Sequence, residues 1–357
     1  MSQITMDTLR LNTSSFLIPS GTDFSYYKKL LEECWQKHLA SRAEDAPTVI
    51  SLFAGCGGSS LGYSMAGYKE LLMVEWDEHA MIVFKKNFPD VKIIFGDICK
   101  LSVENCLESA NIKTGDLDVL DGSPPCQGFS FAGKRNGADP RNFMFEEYVR
   151  LLKGLQPKAF VMENVYGMAM GKSRKFFLTA LSALKECGYN VDVHIINAAY
   201  LNVPQRRRRL IFIGVRNDIN SKPSFPRPNK ISPTLFHALY DMKKEQQAPP
   251  PFSPAKLRLW EQTRKGARHD ERYSVQRLSW NKTPPTLLRI PGSGGLLHPD
   301  EPRNFSTEEH ARIQSFPDDF QFMGSWLDNL HCIGNSVPPL FMMEIAKTIR
   351  EKILLNS

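Results

Sequence analysis

Short apolar runs alternate with amphipathic stretches between Thr48 and Arg216. The runs TVISLFAG (48–55), LLMVEW (71–76), VKIIFGD (91–97), LDVLDGS (117–123), AFVMENV (159–165), VDVHIIN (191–197) and LIFIGVR (210–216) have the length and composition of buried strands. Helices are predicted over 59–66, 78–87, 143–154 and 173–187, between the runs. Strand–helix alternation of this kind implies an α/β fold, a doubly wound and mostly parallel sheet. Only a loop joins the last two runs, so that pair is predicted to be antiparallel. Upstream, residues 24–41 place Tyr27, Leu30, Leu31, Cys34, Trp35 and Leu39 near one helical face, with Asp23 as N-cap. This predicts a helix packed on the main domain behind a loose arm, residues 1–22. Regular patterning stops after Arg216 and resumes at 306–316, where Ser306 and Glu309 form a capping-box pattern. A last helix is predicted over 338–353.

The interruption carries the charge. The chain of 357 residues has a formal net charge of +7. Between Arg216 and Pro302 there are 15 Lys and Arg against 8 Asp and Glu; the remainder has 30 against 30. The same segment holds 13 of the 24 prolines, which marks it as an inserted module. A basic insert in an otherwise neutral protein suits a polyanion, although charge alone is equally compatible with a solvated, irregular surface. The expected organisation is an arm and helix (1–47), a catalytic and cofactor-binding domain (48–216), a smaller basic domain (217–302) and a C-terminal return to the first domain (303–357). The seven cysteines include no C-x-x-C pair, which argues against a zinc site or disulfide framework and for a reducing compartment. No run is long and apolar enough for a membrane span, and the N-terminus does not read as a secretory signal. No metal and no membrane partner are expected, and the protein is expected to be cytoplasmic.

Candidate chemistry clusters at the predicted strand ends, where open α/β sheets bind ligands. The first strand enters the turn Phe53-Ala-Gly55-Cys-Gly57-Gly58, whose glycines permit close backbone approach to a ligand. It is not a phosphate-binding P-loop, because no lysine follows. The second strand ends in Glu75-Trp76, a carboxylate suited to ribose hydroxyls, and the third in Asp97-Ile98, suited to an adenine amino group. Together they suggest an adenosine-containing cofactor; the alternative is satisfied loop carboxylates. The fourth strand leads to Pro124-Pro125-Cys126, whose prolines hold the thiol in place before a polar, glycine-bearing loop. Most lone cysteines are inert core residues, but this context favours a nucleophile. Glu163 ends the fifth strand at the same sheet edge. A cysteine and a carboxylic acid together suit covalent attack on an electron-poor ring with proton donation to its nitrogen. The run Gln205-Arg-Arg207-Arg-Arg209 reads either as a solvated charge run or as a clamp for a ring oxygen and phosphates.

In this order the motifs resemble those of the DNA (cytosine-5)-methyltransferases. FAGCGG (53–58) is similar to motif I, Glu75-Trp76 to motif II, Asp97 to motif III, PPCQGFS (124–130) to motif IV and Glu163-Asn-Val to motif VI. QRRRR (205–209) is similar to motif VIII, the segment 307–318 to motif IX and GNSVPP (334–339) to motif X. The resemblance covers about 48–216 and 283–345. It implies a Rossmann-like S-adenosylmethionine-dependent methyltransferase fold, with 217–302 as the target-recognition domain. It implies S-adenosyl-L-methionine as cofactor, held by Phe53, Gly55, Gly57, Glu75, Trp76, Asp97, Ile98, Pro125, Met144, Asn335 and Val337. Met144 departs from the family's more usual leucine.

The resemblance also implies the reaction. Attack of the Cys126 thiolate on carbon 6 of a flipped cytosine makes carbon 5 nucleophilic, Glu163 holds or protonates N3, and Arg207 holds the base oxygen. Gln127, Ser130, Lys134, Arg141, Gln205 and Arg209 become expected DNA contacts. The expected partners are duplex DNA and a cognate restriction endonuclease, with the enzyme acting as a monomer, at the nucleoid in a bacterium. Two alternatives remain open at this point: a tRNA cytosine-5 methyltransferase, and a catalytically silent DNA-binding regulator on the same fold.

Overall fold

The computed structural model describes residues 25–125, 143–242, 249–272, 274–289 and 295–356. Asp23 and the N-terminal arm lie outside them. The seven apolar runs become β1 (Thr48–Leu52), β2 (Lys69–Glu75), β3 (Lys92–Phe95), β4 (Val119–Gly122), β5 (Ala159–Val165), β6 (Tyr189–Asn197) and β7 (Arg208–Arg216). They form one sheet in the order β3-β2-β1-β4-β5-β7-β6. The first five are parallel, and β7 runs antiparallel to both β5 and β6. The chain reverses its winding between β1 and β4, which opens the crevice at their carboxyl ends where such sheets bind ligands.

Period-two alternation divides each central strand between two cores. Val49, Val119, Val161, Ile211 and Ile213 face one core, while Ile50, Leu120, Phe160, Met162 and Phe212 face the other. The helices follow the same division. On the first face lie α1 (Tyr26–Leu39), α2 (Gly58–Met65), α3 (Glu78–Asn87) and the C-terminal α11 (Pro339–Lys352). On the second lie α4 (Val103–Ala110), α5 (Phe143–Leu155) and α6 (Arg174–Glu186). At about 1.5–3 kcal/mol per fully buried large apolar side chain, these two layers dominate the stability of the sheet.

Two glycines bring α2 against α11. A Cβ on Gly58 would stand 2.4 Å from the Val337 carbonyl oxygen, and one on Gly62 would stand 2.7 Å from that of Pro339. Only hydrogen fits at either place, so the turn before α2 is held directly against the chain entering α11. Helix α1 packs on α2 and on α7 (Leu235–Leu239), as expected of a helix docked on the main domain.

The inserted segment is thinly structured. After α7 come α8 (Pro254–Gln262) and a two-stranded ribbon, β8 (Gln276–Arg277) beside β9 (Leu296–Leu297). Leu259, Val275 and Leu297 form its small core, flanked by Phe252 and Trp260. The chain then enters α9 (Thr307–Ile313) through the capping box read from the sequence: Ser306 Oγ accepts from Glu309 N, and Glu309 Oε2 accepts from Ser306 N. Helix α10 (Trp326–Asn335) precedes α11. Among the described residues, no helix is long and apolar enough to cross a membrane.

Candidate active site

The turn after β1 is built around one carboxylate. Phe53, Gly55 and Gly57 all have positive φ (55°, 57° and 94°), which folds the chain back sharply before α2. Phe53 holds that conformation despite its side chain, a strain characteristic of functional turns. Glu75, at the end of the neighbouring strand, fixes the turn. Its Oε2 accepts from Gly55 N at 2.7 Å, and its Oε1 accepts from Trp76 N at 2.8 Å and Asp77 N at 2.9 Å. Burial pushes this carboxyl above its ordinary range, against the opposing pull of the three N–H donors. A carboxylate has about four acceptor positions, so roughly one is left for a ligand hydroxyl.

The space beside that turn fits an adenosine-bearing group. A Cβ built on Gly55 meets nothing within 4 Å. Trp76 stands 77% exposed directly after Glu75. Asp97 is exposed; its Oδ1 accepts from Cys99 N at 3.0 Å, and that bond draws its carboxyl down. The Ile98 side chain is buried in the second core, which leaves only its backbone to face a ligand. Pro125 and Met144 are half-buried, and Asn335 is exposed at the end of α10. Val337 is buried, with its carbonyl against Gly58. The first and last of these segments are joined by Cys56 Sγ and Ser336 Oγ, 3.1 Å apart.

At the neighbouring edge, Glu163 is 8% exposed near the end of β5. Arg209 Nε lies 2.7 Å from Glu163 Oε1, both side chains being nearly buried. The next residue, Asn164, donates from Nδ2 to the Pro124 carbonyl at 3.1 Å and accepts from Val165 N at 2.8 Å. It thereby ties the end of β5 to the chain entering Cys126. Asn164 was not singled out from the sequence; its place beside Glu163, opposite Pro124-Pro125, was the available signal. Cys126, Gln127, Ser130, Lys134 and Arg141 lie outside the described residues.

The arginine run corrects two sequence expectations, those for Arg207 and Gln205. Arg207 does not face the cleft. It is 2% exposed and donates to the carbonyls of Leu287 (3.3 Å), Gly334 (3.1 Å) and Ser336 (3.0 Å). Its ionisation is pulled well below the usual range by burial, reinforced by Arg209. Gln205 is fully buried and so is not a DNA contact: it donates to Gln314 Oε1 at 2.6 Å and accepts from Leu287 N at 2.9 Å. Arg209, expected at DNA, is the residue paired with the acid. The exposed members are Arg206 and Arg208, the latter 4.5 Å above the Tyr166 ring. They alternate with the inward pair because the segment is extended as it enters β7.

The return from the insert seals this arrangement. Arg206 N donates to the Pro284 carbonyl at 2.8 Å, and the backbone at Arg289 lies within 2.6 Å of where a Gly334 Cβ would stand. The insert's exposed cations include Arg258, Arg264, Lys265, Arg268, Arg272 and Lys282. Lys256 is half-buried, donates to Asn304 Oδ1 at 2.6 Å, and is pushed down to about 8 by burial. Arg312 fastens α9 to the insert by pairing with Asp241 (2.7 Å) and donating to the Ala238 carbonyl, and it also pairs with Asp318 just after α9.

Residues 47–351 match the family model described as C-5 cytosine-specific DNA methylase. Curated relatives include the type II methyltransferase M1.HphI of Haemophilus parahaemolyticus, 34% identical over 85% of this chain and 86% of that protein. Another is M.Sau96I of Staphylococcus aureus, 32% identical over 96% and 86% of the two chains. A solved E. coli protein, described as a DNA modification methyltransferase encoded within a prophage, aligns over 87% of this chain and all of its own. It does so with a TM-score of 0.75 at 26% identity. A Spodoptera frugiperda DNMT2 variant shares the fold, with a TM-score of 0.66 at 19% identity over 85% of this chain and all of its own. The match along most of its length, with relatives above 30% identity, places the chain in the C-5 cytosine-specific DNA methylase family, DNA cytosine-5 methyltransferases that use S-adenosylmethionine.

Proposed function

We propose that this enzyme methylates carbon 5 of a cytosine extruded from duplex DNA at one short sequence, as the modification partner of a restriction endonuclease. The observation that carries the site assignment is the Glu163–Arg209 pair beside the Asn164-anchored entry to Cys126. S-Adenosylmethionine supplies the methyl group from an electrophilic sulfonium. Gly55 and Gly57 shape the turn against it, Glu75 takes a ribose hydroxyl, Trp76 and Phe53 flank the adenine, and Asp97 with the Ile98 backbone meets the adenine edge. Pro125, Met144, Asn335 and Val337 complete the enclosure.

Cys126 supplies the nucleophile. Its thiolate bonds to carbon 6 of cytosine, which places electron density on carbon 5. Glu163 stabilises the adduct by hydrogen bonding or protonating N3. Arg209 takes the role first expected of Arg207: it holds the Glu163 carboxyl in place and presents its guanidinium to the base oxygen. Once carbon 5 carries the methyl group, loss of its proton and β-elimination return the thiolate. A free cysteine, pKa about 8.5, is little ionised at neutral pH, so nearby guanidinium charge favours the reactive form. Flipping the base costs a few kcal/mol of stacking and pairing, offset by contacts from the segment after Cys126 and from exposed cations such as Arg206 and Arg208. The insert's basic face holds phosphates first, with few side chains reading base edges.

The type II methyltransferase relatives favour duplex DNA over tRNA as substrate. Bisulfite sequencing of treated DNA, with labelled methyl transfer to duplex DNA and to tRNA in parallel, tests the reading. One protected cytosine context in DNA is expected; label in tRNA alone overturns the substrate assignment. Cys126→Ser is expected to bind DNA and leave no mark, and activity in that variant would overturn cysteine catalysis.

A further inference from the structure

One buried acid on the sheet has no part in the reaction as written. Asp121, on β4, is 2% exposed and faces the same core as Val119 and Val161. No basic side chain among the described residues pairs with it. Instead Ser59 Oγ donates to its Oδ2 at 2.5 Å, and Tyr63 OH donates to its Oδ1 at 3.4 Å. Both donors stand on α2, the helix that begins directly after the cofactor turn. Strand β4, five residues further on, delivers Cys126.

An apolar residue would be cheaper there. A buried acid without a cation carries a desolvation penalty that hydrogen bonds only partly return. Burial accordingly pushes the Asp121 carboxyl up to about 7, with the Glu163 charge adding to it and the Ser59 hydrogen bond opposing it. The surrounding interface is polar too. Ser60 Oγ donates to Ser51 Oγ at 3.3 Å across α2 and β1, and the Glu70 carboxyl oxygens are buried nearby. Apolar contacts tolerate sliding, whereas directional hydrogen bonds fix the register of a helix on a sheet. The reaction demands that register, since the donor's methyl group and the thiol must meet one pyrimidine from two separate loops.

We propose that Asp121 is a positioning residue for methyl transfer: with Ser59 and Tyr63 it locks the helix behind the cofactor turn to the strand that carries the nucleophile. This rests on the assignment of Cys126 and the 53–58 turn made above.

The experiment compares wild type with D121L, D121A, D121N, S59A and the S59A/D121A double variant. It reads kcat, KM for duplex DNA and melting temperature on the full-length enzyme. A displacement of about 1 Å can cost roughly 100-fold in rate. D121L, which removes the buried charge, is therefore expected to melt no lower than D121A yet to lose about 10- to 100-fold in kcat, with KM for DNA within about 2-fold. D121N keeps an acceptor for Ser59 and is expected to recover kcat to within about 5-fold of wild type. S59A is expected to lower kcat in the wild-type background and to do almost nothing in the D121A background. Wild-type kcat in folded D121L or D121A, losses of kcat that merely follow melting temperature, or additive S59A and D121A effects would each overturn the proposal. If D121L does not fold, the S59A–D121A cycle decides. Absence of methyl transfer by the wild type itself would instead defeat the functional assignment, which keeps the two failures distinct.

Discussion

Arg207 and Arg209 sit two residues apart on one extended segment, yet substitution should separate them cleanly. Arg209→Ala removes the guanidinium 2.7 Å from Glu163 Oε1 and leaves the acid nearly buried without its partner. A preorganised donor at the reacting group is worth about 2.7–4 kcal/mol in the transition state, or roughly 100- to 1,000-fold in kcat. That loss is expected in single-turnover transfer of labelled methyl groups, with DNA binding reduced far less. Arg207→Ala strands two buried carbonyls, those of Leu287 and Gly334, while Ser336 keeps Gln314 Nε2 as a donor at 2.6 Å. At about 1–3 kcal/mol for each unsatisfied group, its cost should be roughly 2–6 kcal/mol of stability. It should appear in chemical or thermal unfolding before it appears in the specific activity of the folded fraction. Arg209→Lys should recover part of the rate, because an ammonium restores the charge but not the planar fork. Near-wild-type turnover in Arg209→Ala, together with a selective loss of kcat in well-folded Arg207→Ala, would refute the reassignment.

Two further outcomes follow from the geometry. Trp76→Ala removes an exposed aromatic face beside the cofactor turn; ring contacts of about 0.5–1.5 kcal/mol translate into roughly a 2- to 13-fold weaker Kd for S-adenosylmethionine by calorimetry, and an unchanged Kd would remove Trp76 from the pocket. Glu70 is pushed up to about 8 by burial, its neighbours Ser51 and Ser60 opposing the shift, so the folded chain keeps a proton that the unfolded chain releases near its ordinary value of 4.5. Its contribution to stability is therefore complete below about 4.5 and is lost as pH rises toward 8. Urea unfolding of Glu70→Gln between pH 5 and 8 should show a slope shallower than wild type by up to about 1.4 kcal/mol per pH unit, and parallel slopes would contradict the assignment.

Much of this layout was legible because it is local. The seven runs became seven strands at nearly the expected places, and the final hairpin is antiparallel as its short connection required. Local pattern could not show that β7 lies between β5 and β6, since the sheet order depends on which strand edge remains open after both have formed. Helices α4 and α10 were missed although Ser102 and Ser325 cap them with side-chain acceptors. In the site, Glu75 stands at the end of β2, Glu163 near the end of β5 and Asp97 just beyond β3, as the strand pattern predicts. The arginine run was harder. Alternation puts Arg207 and Arg209 on the same side, so sequence spacing cannot choose between them. The choice is made by Leu287, Gly334 and Ser336, which arrive from 80 or more residues away and enclose only Arg207.

That enclosure has a consequence for how recognition is free to change. The cofactor turn is completed by residues from the far end of the chain: Gly58 abuts the Val337 carbonyl, Cys56 meets Ser336, and Leu340 N donates to Ser315 Oγ. Everything between β7 and α9 must therefore leave and return through fixed points. On the outgoing side the anchor is Asp241 with the Ala238 carbonyl, held by Arg312; on the return it is Leu287, held by Gln205 and Arg207. The small Leu259–Val275–Leu297 core, formed by the chain between these anchors and the strand beyond Leu287, is separate from the two cores that cover the sheet. On the proposed function, substitutions or loop changes there alter which bases are met without moving Glu163. Gln205 connects to the turn through Gln314, Ser336 and Cys56, and Leu287 through Arg207, Ser336 and Cys56. Altered specificity should thus be obtainable from the 249–282 region at nearly constant kcat, whereas any route through the anchors should lower kcat and stability together.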